Sequence, residues 1–378
     1  YIGVVDGHDM HALRCSIGQA IETRRPVVVH VKTVKGKGYK PAEARPDAFH
    51  GTAPFHLGNG QRKRATVGTT YTEAFGQALV RLAEQDERIV AVTAAMTQGT
   101  GLEAFAHRFP ERFYDVGIAE EHAVVFSAGL AIGGRRPVAA IYSTFLQRSF
   151  DMLIQDIGLQ KLPVVLAVDR AGLVGDDGPT HHGAFDLTYL RAIPNFTVMA
   201  PSSQEELQRM LATAFTIDGP VALRYPRGLE APLSPAAELA PLEVGRGRVV
   251  EEGSGVALVG IGTGVAIARD AAALLRADGE TPTVVDARFV KPLDSDLLFG
   301  LAATHSCIVT VEENALAGGF GSAVLELLAE SGVRIVRIGL PDAFVPHGDR
   351  QLLLESVGVT AEAVAAAAVR HLRLAPAR

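Results

Sequence analysis

Two glutamates, Glu120 and Glu121, stand side by side in "DVGIAEEHAVVFSAGLAIGG", where Ser127 is the only polar residue between Ala123 and Ile132. The apolar run and its small residues predict a helix packed on most sides, with at least one carboxylate partly out of water. Such a carboxylate must gain a partner or shift its pKa, which makes it a candidate working group. The plainer alternative is that both sit in the first turn and complement the helix dipole. Other apolar runs end in similar groups. Tyr142, Phe145 and Arg148 stand at the end of "PVAAIYS" and just beyond it. Arg170, Asp176, Asp177, His181 and His182 fall in "RAGLVGDDGPTHHGAFD", and Arg224 and Arg227 in "RYPRG". Arginine forks, two histidines and a buried glutamate converging on one cleft suggest an anionic, phosphorylated substrate.

Each of these has a duller reading. Arginines at strand ends commonly pair with surface carboxylates. The "DDGPTHH" loop reads also as an ordinary turn with solvated histidines, or as a metal site of Asp and His, although no spacing fixes a ligand set on one element.

The elements that must position these groups are legible as alternation. From about Thr69 the chain runs through a Thr-capped helix "TTYTEAFGQALVRLAEQ", a strand "RIVAVTAAM", the helix after Glu120, "RPVAAIYS", a helix "FLQRSFDMLIQDIGLQ", "LPVVLAVDR", a long polar loop, "FTVMAPSS", "SQEELQRMLATAF" and "GPVALRYP". Uniformly apolar strands alternating with helices predict an α/β fold, a parallel sheet with helices on both faces. In such sheets ligands bind beyond the carboxyl ends of the strands, which is where the candidate groups lie. The stretch 228–247 is rich in Pro, Gly and Ala and reads as a linker. Beyond it a second α/β alternation runs to an Ala-rich terminal helix. Before Thr69 there is only a helix around 11–23, a β-branched strand over 26–34 and a loop, too little to bury a core of its own. Three segments follow: 1–66, 67–242 and 243–378.

The last segment offers a competing motif. "VALVGIGTGVAIA" is strand, glycine turn and helix, with Asp286 placed where a ribose ligand would be in a dinucleotide site. Its glycine spacing is not the full fingerprint, and any tight strand-to-helix turn needs glycine.

Composition narrows the classes. The 378 residues are 48% hydrophobic with a net charge of −6, which disfavours nucleic acid or an anionic membrane surface as partner. No uninterrupted apolar run reaches the length of a membrane span, and no secretory leader opens the sequence. Two cysteines, Cys15 and Cys307, make no metal motif and point to a reducing, cytoplasmic setting.

The strings "DVGIAEEHAV", "IYSTFLQRSFDMLIQDI", "DRAGLVGDDGPTHHGAFDLTYLR" and "RYPRG" resemble the 1-deoxy-D-xylulose-5-phosphate synthases, thiamine-diphosphate enzymes of the transketolase superfamily. The resemblance implies a transketolase-like α/β architecture. It implies a transferase that condenses pyruvate with D-glyceraldehyde 3-phosphate, releasing carbon dioxide, at the head of isoprenoid synthesis and feeding thiamine and pyridoxal synthesis. Glu120 matches the glutamate that hydrogen-bonds the cofactor's aminopyrimidine ring and favours the tautomer that activates the thiazolium carbon. Phe145 matches the aromatic that stacks on that ring, and Ile118 an apolar contact to it. Arg148, Arg227 and Tyr142 match phosphate-binding positions, and Asp177 and His181 groups beside the acceptor's aldehyde and hydroxyl. Arg170 and His50 are further cleft residues by the same resemblance, and Lys35 or Lys37 lies near the diphosphate.

One departure stands out. The superfamily holds magnesium and diphosphate with a GDG motif followed by asparagine, and this sequence has no such motif. Residues 1–66 resemble the end of the family's first domain. The expectation is therefore a C-terminal portion, inactive alone, that works with the missing first domain and forms a homodimer, the last domain serving packing and dimerisation. Two other readings remain: the β-type subunit of a split thiamine enzyme, as in pyruvate dehydrogenase, and a non-catalytic module binding a phosphorylated ligand.

Overall fold

The structure, a computed structural model, describes all residues except 47, 51, 53, 62, 64–67, 176, 231–238 and 373–378. It divides into two compact units, Tyr1–Val67 and Gly68–Arg378.

In the first unit β1 (Ile2–Asp6), α1 (Met10–Thr23), β2 (Val29–Lys32) and α2 (Lys40–Ala44) follow one another. The Asp9 carboxylate caps α1 by accepting from His11 N and Ala12 N at 2.9 and 3.0 Å. Strands β1 and β2 pair in parallel. β1 was not foreseen, because five residues at the chain start show no periodicity of their own. No residue of α1 is buried, and Val4, Ile17, Ile21 and Val28 are all exposed. A two-stranded parallel sheet with an uncovered apolar helix is an unfinished α/β layer, since parallel strands are normally covered on both faces.

The second unit opens with β3 (Thr69–Thr70) and α3 (Tyr71–Gln85), joined by a capping box between Thr70 and Glu73. It continues through β4 (Ile89–Thr93), α4 (Glu103–Arg108), β5 (Phe113–Asp115), α5 (Glu120–Ile132), β6 (Arg136–Tyr142), α6 (Ser143–Leu146), α7 (Phe150–Met152) and β7 (Val165–Ala171). Then come α8 (Asp186–Ala192), β8 (Thr197–Met199), α9 (Gln204–Ala214), β9 (Val221–Pro226) and β10 (Leu229–Glu230). The remaining elements are β11 (Arg248–Glu251), β12 (Val256–Gly260), α10 (Gly264–Ala277), β13 (Thr283–Asp286), β14 (Phe289–Lys291), α11 (Ser295–Thr304), β15 (Cys307–Ala315), α12 (Phe320–Leu327), β16 (Arg334–Leu340), α13 (Arg350–Ser356) and α14 (Ala361–Leu372).

Two sheets result. The seven-stranded one has the order β14-β8-β9-β7-β6-β4-β5 and the five-stranded one β11-β13-β12-β15-β16. Strands β4, β6, β7 and β9 are almost wholly buried, as apolar strands covered on both faces should be. Phe75, Leu79, Phe105 and Tyr225 fill one face of the larger sheet, and Leu146, Leu153, Ile157 and Phe196 the other. Neither sheet is purely parallel. Edge strand β11 runs antiparallel to β13, and β14 leaves the last segment to pair antiparallel with β8.

Three local expectations change. The helix expected over 145–160 is wound unevenly: α6, a 3₁₀ turn at Gln147–Ser149, α7, then a π-helical stretch at Leu153–Gly158. Helix α5 is packed on one side only, with Val125 and Ile132 left exposed, because an apolar sequence does not reveal which face meets the sheet. The linker is partly structured: β10 pairs with β3, Glu230 accepts from Tyr71 Oη, and Leu242 is buried. Residues Arg350–Leu372 are apolar enough by composition to suggest a membrane span. A turn at Val357–Thr360, with Gly358 at φ +72°, breaks the stretch into α13 and α14. Each is far short of the ~20 residues that cross a bilayer.

On β15 the Glu312 carboxylate is buried and accepts from Phe320 N and Gly321 N at 2.7 and 2.8 Å at the start of α12. Burial pushes its pKa up to about 7, against the opposing pull of those two donors and of Arg224 and Arg337. A carboxyl raised in the folded state stabilises most below its unfolded pKa and loses that contribution as pH rises through the folded value. Melting temperatures of the parent and of Glu312→Gln, followed from pH 4.5 to 8, are therefore expected to diverge, the parent losing stability relative to the variant between pH ~4.5 and ~7. A constant difference across that range would refute the assignment.

Candidate active site

The groups at the carboxyl end of the larger sheet form one connected cluster. Glu120 is the first residue of α5, its side chain is only 4% exposed, and its Oε2 accepts from Arg148 Nη1 at 3.1 Å. Arg148 stands on the 3₁₀ turn after α6, half exposed, with its guanidinium carbon 5.9 Å from the Phe145 ring centre. Phe145 stacks on Tyr142 with centroids 5.7 Å apart and meets His181 edge-on at 5.4 Å. His181 Nδ1 is 2.9 Å from Thr180 Oγ1, and the Thr180 carbonyl accepts from Thr144 Oγ1 at 2.9 Å, which ties the loop to α6. At the rim Asp177 Oδ2 accepts from Arg227 Nη1 at 3.3 Å, both side chains about half exposed. Glu121, next in α5, is partly exposed in the first turn, as the dipole reading expects. Ile118 lies exposed beside them.

Tyr142 and Arg170 form the inner wall. The Arg170 guanidinium lies 4.2 Å from the Tyr142 ring centre and donates through Nη1 to the Gly99 carbonyl at 2.7 Å and to Thr72 Oγ1 at 3.0 Å. Its ion pair is with Asp169, which is fully buried and also accepts from Thr72 Oγ1 at 2.8 Å. Burial pushes the Asp169 carboxyl up, with Arg170 and Thr72 opposing. Burial likewise pushes the Tyr142 phenol up to about 12, so it stays a neutral donor at physiological pH. Arg170 is thus already engaged, whereas Arg148 and Arg227 keep half their surface free.

Lys35, Lys37 and His50 belong to the first unit. Lys35 Nζ donates to His50 Nδ1 at 2.9 Å, and Lys35 and Lys37 line a cleft of about 460 Å³ with Gly36, Tyr39, Phe49 and Phe55.

Three sequence candidates turn out to be structural. Arg224 is buried and pairs through Nε with both oxygens of Asp186 at 3.0 and 3.2 Å, while Nη2 donates to the Gly183 and Glu313 carbonyls. His182 Nδ1 accepts from Val174 N at 3.1 Å and Nε2 reaches the Pro346 carbonyl at 3.1 Å, so its ring closes a loop. Asp286 is buried, accepting from Ser202 Oγ at 2.6 Å and Arg288 N at 3.1 Å. The neighbouring glycine turn packs against Ala200, and its Thr263 hydroxyl is spent on Glu313. That turn serves as a packing contact. Asp176 lies outside the described residues. Among the described residues no group of three His, Cys, Asp or Glu side chains is arranged to hold a metal.

Asp115, Asp169, Asp186 and Thr72 were missed. A carboxylate directly after an apolar run, as in "FYD" and "LAVD", was the available signal.

Residues 68–231 match the transketolase pyrimidine-binding domain and residues 245–364 the transketolase C-terminal domain. A solved split-gene transketolase, described as an inactive β4 tetramer, is 36% identical with a TM-score of 0.73, covering 81% of this chain and 99% of its own. The chain belongs to the transketolase family. Among curated relatives, a 1-deoxy-D-xylulose-5-phosphate synthase of Syntrophomonas wolfei is 50% identical over 96% of this chain and 57% of its own length. The synthase 1 of Geobacter sulfurreducens is 53% identical over 97% of this chain and 58% of its own. The chain thus spans somewhat over half the length of these relatives. A transketolase of Pichia stipitis, 17% identical with a TM-score of 0.66 over 82% of this chain and 47% of its own, shares the fold.

Because Asp186 has no exposure, Arg224→Ala strands a buried charge, and such a loss costs about 3–5 kcal/mol. Urea denaturation is expected to show a fall of that size, and a change under 1 kcal/mol would place the pair among weak surface bridges.

Proposed function

We propose that this chain supplies the pyrimidine-binding and C-terminal parts of a 1-deoxy-D-xylulose-5-phosphate synthase, which joins pyruvate to D-glyceraldehyde 3-phosphate with release of carbon dioxide. The observation that carries this reading is the continuous cluster from buried Glu120 through Arg148, Phe145 and His181, with the Asp177 and Arg227 pair at its rim. Identity of about half over nearly the whole chain supports the same substrate class.

The residues fit thiamine diphosphate: a buried carboxylate at a helix start accepts a ring N–H, and a part-buried aromatic beside it offers a stacking face. When bound, that cofactor supplies a nucleophilic carbon and the electron sink for decarboxylation. Glu120 holds the proton at the pyrimidine nitrogen. Phe145 orients the ring, with Ile118 as an apolar neighbour. Arg148 and Arg227 bind the acceptor's phosphate with forked donors, and the neutral Tyr142 phenol adds a third. Asp177 binds the acceptor's hydroxyl, and His181 delivers or removes a proton at its aldehyde oxygen. Arg170 and Asp169 hold the wall behind Tyr142, and His50 pairs with Lys35 inside the first unit. Lys35 and Lys37 serve the diphosphate. Magnesium is assigned to the GDG-bearing first domain that the family resemblance implies.

That first domain is also the partner that the bare faces of α1, β1 and β2 call for. A homodimer is supported by the exposed apolar side chains of Val125 and Ile132 on α5 and of Ile118 just before it. A cytoplasmic setting is supported by two free cysteines. The likeness to a split-gene transketolase favours, as a second reading, a β-type subunit acting with a separate chain.

In the assembled enzyme Arg227→Ala is expected to raise the KM for glyceraldehyde 3-phosphate roughly ten-fold or more and leave that for pyruvate nearly unchanged, as loss of a charge-assisted bond should. Equal effects on both substrates would defeat the phosphate assignment. Glu120→Ala is expected to abolish turnover, and retained activity would sink the cofactor role.

A further inference from the structure

The carboxylate of Asp115, at the end of β5, accepts three hydrogen bonds from two loops. Oδ1 accepts from Ala95 N at 2.7 Å and from Gly117 N at 3.0 Å, and Oδ2 from the Thr97 hydroxyl at 3.0 Å. Ala95 sits at φ +60°, a left-handed conformation that costs an alanine energy and persists only where the surroundings over-determine it. Asp115 is part of that over-determination.

Each loop leads to a different side of the cluster. From Gly117, at φ +75°, the chain passes through Ala119, whose N–H donates to the Gly117 carbonyl at 2.8 Å, directly into Glu120. From Thr97 it winds through a tight loop in which Thr100 N donates to Met96 O and Leu102 N to Thr97 O, both at 2.9 Å. The carbonyl of Gly99 in that loop accepts from Arg170, and a Cβ at Gly99 would stand 2.3 Å from Tyr142 Oη. The loop therefore lies against Tyr142 and is hydrogen-bonded to Arg170, so its position bears on both.

We infer that Asp115 is a positioning residue, a buckle that holds Glu120 in register with the wall formed by Tyr142 and Arg170. The inference rests on the function proposed above. Asp115 is itself exposed, so the core does not depend on it and its removal acts on the site rather than the fold. Displacing a reacting pair by about 1 Å can cost 10²-fold in rate.

The test compares Asp115→Ala, Asp115→Asn and Glu120→Ala in the assembled enzyme, reading kcat, the KM of each substrate and amide hydrogen exchange over 95–102 and 115–120. Asparagine keeps an oxygen for Ala95 and Gly117, and its amide donates to the Thr97 hydroxyl. For Asp115→Ala the expected result is a kcat lowered at least ~ten-fold, a raised KM for glyceraldehyde 3-phosphate, faster exchange in both segments and an unchanged melting temperature. Asp115→Asn is expected to restore kcat to within about three-fold of the parent. Parent-like kinetics in Asp115→Ala, or a rate loss that tracks unfolding, would overturn the buckle while an inactive Glu120→Ala left the cofactor reading standing. An active Glu120→Ala would overturn both.

Discussion

The ion pair of Asp186 and Arg224 is the constraint on which the site depends. Both groups are almost entirely removed from water, and a buried pair is tolerable only when every remaining donor and acceptor is satisfied. That requirement recruits three separate pieces of chain. Asp186 Oδ2 accepts from Ser143 Oγ at the start of α6, which carries Phe145 and leads into Arg148. Arg224 donates to the Gly183 carbonyl at the base of the loop carrying Asp177 and His181, and to the Glu313 carbonyl on β15. The charges therefore do no chemistry. They hold the loops that do.

Strand β15 extends the same logic from the smaller sheet. Glu313 accepts from Leu173 N and Thr263 Oγ1 and pairs with Arg350, so one buried carboxylate ties the site loop to α10 and α13. Asn314 accepts from Leu187 N and donates to the Thr188 hydroxyl, fixing the start of α8. Glu312, one residue earlier, faces the opposite way toward α12. In a nine-residue strand without one exposed member, Glu313 and Asn314 lock the smaller sheet to the larger one, and Glu312 caps α12.

Much of this was legible in advance for a simple physical reason. Strand-to-helix alternation determines which ends of the strands carry ligand-binding loops, so Glu120, Tyr142, Arg148, Arg170 and Arg227 were found at the right edge of the sheet from pattern alone. What pattern cannot supply is the fate of a charge after folding. Arg224 and Arg227 are three residues apart on the same strand end, yet one is sealed inside and the other is at the rim. Nothing local distinguishes them, because the partner of Arg224 comes from a helix dozens of residues earlier in the chain. Asp115 was hidden for the converse reason: two of its three partners are backbone amides, and no pattern in the sequence pairs a carboxylate with those.

Strand β14 carries a consequence for how such a chain can be divided or recombined. The two sheets look like separable modules if the boundary is drawn near residue 243, but the strand Phe289–Lys291 crosses back to complete the larger sheet beside β8. Cutting at the compositional boundary would leave β8 as a bare edge, an invitation to intermolecular strand pairing. A crossover just after Lys291 would instead part β12 from β15 and split the smaller sheet, so relatives must exchange both modules together. Gene fission, by the same reasoning, is least disruptive upstream of Gly68, where one compact unit ends and the next begins.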